Sequence, residues 1–144
     1  MAVIAEVMAR LEAKAPSLTS IGAAEDLEAI SRGTAPANGA AFVLPFQDRP
    51  SPNEYMTGGF SQRVEVLLLV AFVLRRADDA RGAQRAGSFD LFKGEIEAAL
   101  AGWAPDPEKN DEFELAAGRS ASMGNGVTVY VQTWRTSRYI EEED

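Results

Sequence analysis

The sequence predicts an α+β domain: a mixed or antiparallel β-sheet of about four to five strands with two main helices packed on it. Three patterns point to it. Apolar residues recur at helical spacing in two separate segments, residues 2–14 and 89–103. A long apolar run at 60–74 changes from alternation to apolar on both faces, as a central strand does. Two strand-like segments, 113–123 and 127–140, flank Gly124-Asn125-Gly126, whose residues supply the positive φ values of a tight hairpin.

In the first helix Val3, Ile4, Val7, Met8 and Leu11 form one stripe, and Pro16 lies beyond its end. Residues 17–21 suit a short strand. Residues 23–31 are rich in helix formers and predict a short helix, closed off by Gly33, Pro36 and Gly39. The apolar run 40–46 predicts a strand that ends at Pro45 and Asp48-Arg49-Pro50. Residues 47–59, with their prolines and Gly58-Gly59, read as a long connection, and connections of this length are often functional. The strand at 60–74 would span about 50 Å fully extended, so it must bend or project from the domain. Residues 75–87 lack apolar periodicity and predict a solvated loop. Phe89, Phe92, Ile96, Leu100 and Trp103 then mark a second helix, with Ser88 as N-cap and Pro105 past its end. Its stripe is expected in the core. In the last strand Val127, Val129 and Val131 face one way, and Tyr130, Gln132 and Trp134 face the other.

A chain of 144 residues matches one domain, placed at 1–140, with 141–144 as an acidic tail. It contains no cysteine and no histidine. That excludes disulfides, thiolate chemistry, the usual catalytic triads and most transition-metal sites. The densest apolar run, 66–74, is about half of the ~20 residues a membrane helix needs, so no membrane partner is expected. The N-terminus lacks the basic region and cleavage site of a secretion signal, which makes synthesis in the cytoplasm the expectation. Glu141, Glu142, Glu143 and Asp144 carry half of the net charge of −8, and acidity of this degree disfavours tight nucleic-acid binding.

Candidate chemistry is sparse. An EF-hand loop begun at Asp106 has Asp111 where glycine is required and Ala117 where the bidentate glutamate belongs. Ser120 in Gly118-Arg119-Ser120-Ala121-Ser122 lacks the closing glycine of a nucleophile elbow, and no histidine exists to activate it, so it reads as a strand residue. Gly58-Gly59 is followed by no lysine and is a turn, not a phosphate loop. No catalytic residue, cofactor or metal ligand is assigned.

The strings GAAEDLEAI, AAFVLPFQDRP, QRVEVLLLVAFVLRR, AALAGWAPDP and VYVQTWRTSRYI, in this order, resemble tail terminator proteins of long-tailed phages and prophages over about residues 2–140. The resemblance implies a non-enzymatic virion protein made in the host cytoplasm. Such a subunit is expected to form a hexameric ring that caps the tail tube, stops its polymerisation and meets head-completion or neck proteins while DNA passes through the lumen without specific binding. It also makes the 47–59 and 75–87 segments candidates for ring, tube or neck contacts without fixing individual residues; the candidates taken from their composition are Arg49, Tyr55 and Met56 in the first and Arg75, Arg76, Arg81 and Arg85 in the second. The alternatives are another head–tail connector, a small metal-dependent hydrolase using the 106–114 carboxylates, and a host binding module.

Overall fold

The structure, a computed structural model, describes residues 3–25, 30, 37–75, 83–124 and 127–142. Its elements are α1 (Val3–Lys14), β1 (Ser20–Ala23), β2 (Ala40–Asn53), β3 (Ser61–Arg75), α2 (Ala83–Leu100), β4 (Glu114–Gly124) and β5 (Val127–Glu141). The strands form one mixed sheet in the order β1-β2-β3-β5-β4. Only the β1–β2 pair is parallel among the described strands. β3 is central as expected, and it pairs with β5 along its whole length, from Ser61↔Glu141 to Arg75↔Val127.

Helical periodicity decides what covers one face of the sheet. Val7 and Leu11 of α1 meet Phe92, Ile96 and Leu100 of α2 over Val70, Phe72 and Trp134. The rings of Phe89, Phe92 and Tyr130 surround Phe72 with centroids 5.6–6.0 Å away. Two polar links fix the helices: Arg10 Nε donates to the Ala99 carbonyl, and the Ser17 amide donates to Glu95 Oε1, both at 2.9 Å. The opposite face buries Val127, Val129 and Val131 with Ala71, Val73 and Ile30. The alternation read in β5 therefore separates two cores, and the α2 stripe is core, as expected.

Several boundaries differ from the sequence reading. β2 continues to Asn53, so the connection is 54–60 rather than 47–59. Proline is tolerated there because β1 pairs with Ala40–Val43 alone among the described residues, leaving the outer edge of β2 without a ladder partner at Pro45, Pro50 and Pro52. α2 begins at Ala83, so residues 83–87 are helix rather than loop and Ser88 is internal, not the N-cap. Ala83, Gln84, Arg85 and Ala86 are all good helix formers and need no apolar stripe to extend a helix. The first strand lies at 20–23 rather than 17–21. Most of the helix expected at 23–31 falls outside the described residues, as does the 76–82 part of the expected loop.

Candidate assembly surfaces

Both cores stop partway along the sheet. The helix-side cluster ends at Val43 of β2, Leu68 of β3 and Trp134 of β5, and the opposite cluster ends at Leu44, Leu69 and Val131. Beyond that line β2, β3 and β5 continue as a three-stranded arm whose β2 residues 45–53 are all exposed. The long strand thus projects past the helices. A register shift in β2 at Phe46, where Pro45 opposes Leu68 and Gln47 opposes Leu67, marks the root of the arm.

Of the seven large hydrophobic side chains exposed among the described residues, five lie on this arm: Phe46, Tyr55, Met56, Phe60 and Ile140. Concentration of that kind makes the arm a candidate interaction surface. The tip, 54–60, is hydrogen-bonded into shape. Asn53 Oδ1 accepts from the Tyr55 and Ser61 amides at 3.3 and 2.9 Å, and the Glu54 amide donates to the Ser61 carbonyl at 2.7 Å. At the root, a groove of about 450 Å³ opens where α1 begins above the sheet. Val3, Ile4, Pro45, Phe46, Val66 and Leu68 line it, and the Arg138–Asp48 ion pair at 2.9 Å lies along it.

The other face of the arm is charged. Arg49 meets Glu65 at 3.5 Å, Arg135 meets Glu114 at 3.2 Å, and Arg63 pairs with Asp111. The Arg63 guanidinium, by its hydrogen bond, holds the Asp111 carboxyl below its ordinary range against partial desolvation, with Ser137 assisting. The 110–111 segment is tied to β5: Asn110 Nδ2 donates to the Ser137 carbonyl at 2.7 Å, the Asp111 amide donates to Ser137 Oγ at 2.9 Å, and Thr136 Oγ1 donates to the Asp111 carbonyl at 2.6 Å. The 106–114 carboxylates are thereby dispersed. Asp106 Oδ1 accepts the Glu108 amide within its own turn, while Asp111 and Glu114 face different arginines. No group of three or more potential metal ligands forms among the described residues.

The candidate contact residues separate into two sets. Arg49, Tyr55 and Met56 share the arm, with Met56 99% exposed at its tip. Arg75 ends β3 at the opposite end of the sheet, where its amide donates to Asn38 Oδ1 at 3.0 Å. Arg85 belongs to α2, while Arg76 and Arg81 lie outside the described residues. Sequence reasoning missed Phe46 and Phe60, because each adjoins an apolar run that reads as core, and Ile140, because it closes a strand in which every second residue was expected to be covered. Nothing in the residue pattern marks where the helix cover stops.

The family model of phage tail terminator proteins matches residues 1–143. The chain belongs to the phage tail terminator family. Tail terminators are structural proteins of the virion tail, so membership gives the chain a structural role there, in contact with other phage tail and head proteins. A search of curated proteins finds no match. No helix among the described residues of this tail terminator family member is long and apolar enough to cross a membrane.

Proposed function

We propose that the chain is the subunit of a hexameric ring that caps the finished tail tube, stops its polymerisation and offers its outer face to head-completion or neck proteins. The family match over nearly the whole chain carries this reading. The arm supports it, because a subunit that works by contact needs exposed apolar surface held on a rigid scaffold. In this reading the body and arm act as one unit, made in the host cytoplasm and incorporated at the head–tail junction. DNA crosses the lumen without specific contacts, consistent with the net charge of −8. Arg49, Tyr55 and Met56 serve contacts at the arm, and Arg75, Arg76, Arg81 and Arg85 serve as a second set of contact residues.

The test is genetic. Deleting the gene is expected to give tails of uncontrolled length, measured by electron microscopy. Tails of normal length that fail to join heads would transfer the role to a neck protein. Native mass spectrometry of the purified protein, or of the protein bound to isolated tail tubes, is expected to show six copies.

A further inference from the structure

We propose that the ring is closed by insertion of the arm tip of one copy, Tyr55 and Met56, into the apolar groove at the arm root of the next. This deepens the ring reading above and rests on it. The tip is a preformed knob. Asn53 and Ser61 pin its ends, and the Tyr55 ring packs over Gly59, where an added Cβ would lie 3.4 Å from it. Gly59 adopts φ 72°, a conformation in which glycine carries no Cβ penalty, so the tip holds its shape before contact. Met56 projects from it almost fully exposed.

The groove supplies the matching hole. Its volume of about 450 Å³ accommodates two large side chains, and its walls are the apolar faces of Val3, Ile4, Pro45, Phe46, Val66 and Leu68. Charge agrees as well. Glu54 and Glu142 flank the tip, with the Glu142 amide bound to the Phe60 carbonyl at 3.1 Å. The groove wall carrying Val3 and Ile4 is the first turn of α1, the positive end of its helix dipole, and Arg138 lies along the groove, although Glu6 in that turn and Asp48, paired with Arg138, offset part of this positive charge.

A copy cannot fill its own groove. Tip and root are separated by residues 47–53 of a paired strand, about 24 Å at ~3.4 Å per residue. Knob and hole are different surfaces of one molecule, so each copy receives one neighbour and enters another. Such head-to-tail contacts form rings when the rotation closes.

The chain has no cysteine, which permits a clean crosslinking test. A chain with both Met56→Cys and Ile4→Cys, incorporated into tails and oxidised, is expected to give a non-reducing ladder of covalent oligomers, and Phe46→Cys in place of Ile4→Cys should do the same. Each single variant should stay monomeric on the gel. Assembled tails that give no ladder with either pair, or a ladder only when Met56→Cys is combined with Arg119→Cys on β4, would overturn the proposal. Met56→Asp provides a second readout: thermal unfolding within about 2 °C of the parent, as for an exposed substitution, with oligomer yield lowered about tenfold or more. Undiminished oligomer yield would count against the contact. Tail length in the parent phage is scored separately, so uncontrolled length on deletion combined with no crosslink removes this contact and leaves the terminator reading standing.

Discussion

Gly39 shows how much a single residue can hold in this fold. Its φ is 84°, and a Cβ there would lie 2.9 Å from Phe92 Cζ and 3.3 Å from Thr19 Cγ2. Gly39→Ala combines a left-handed backbone with a clash against a core ring, so a loss of about 1–3 kcal/mol is expected in denaturant unfolding. The sequence identifies Gly39 only as a breaker, because the ring it faces arrives from α2, far along the chain. Asp111 makes a smaller, pH-dependent contribution. Its carboxyl is held low by Arg63, so the pair stabilises fully above the ordinary carboxylate pKa near ~3.9 and loses that contribution as pH falls through the lower folded value. Both side chains are partly exposed, which limits the effect to about 1 kcal/mol or less. Asp111→Asn should therefore lower the Tm slightly at pH 7, and the gap to the parent should close in strong acid. A constant gap across the titration would contradict this assignment.

At the scale of elements, legibility followed burial. α1, the body of α2 and the alternation of β5 were readable because each faces a core, and a core imposes a period on the sequence. The outer half of β2 was not readable, because Asp48, Arg49, Pro50, Ser51 and Pro52 face solvent and carry turn composition. The start of α2 was missed because residues 83–87 carry no apolar periodicity to mark a helix. The candidate contact residues were half legible: the loop reading correctly brought Tyr55 and Met56 to an exposed tip but placed Arg49 in a connection rather than a strand. The β4–β5 hairpin offers a test of packing across strands. A Cβ on Gly118 would lie 2.3 Å from the Tyr130 hydroxyl, and the Tyr130 ring is held by Phe89 at 4.7 Å. Gly118→Ala is expected to cost about 1–3 kcal/mol. It should also raise amide exchange in β4 while leaving α1 unchanged, and unaltered β4 exchange would refute the clash.

For the whole molecule, both core clusters lie outside the arm, so under the proposed arm contact assembly can be removed without removing the fold. Replacing residues 54–60 by an Asn-Gly turn shortens the hairpin but touches neither core cluster, so the Tm should stay close to that of the parent. Such a copy keeps the groove and lacks the knob. In a head-to-tail ring it accepts one neighbour and cannot enter the next, so a single such copy leaves the ring open. With equal amounts of both forms, about 2% of six-membered rings would contain only parent copies, because every position must be filled correctly. Co-expression should then be dominant-negative, producing long tails even though functional protein is present. Simple loss of half the active protein would instead give a mixture in which most tails keep normal length. The tail-length distribution in micrographs separates these outcomes, and a distribution matching the parent would show that the tip is dispensable for closing the ring.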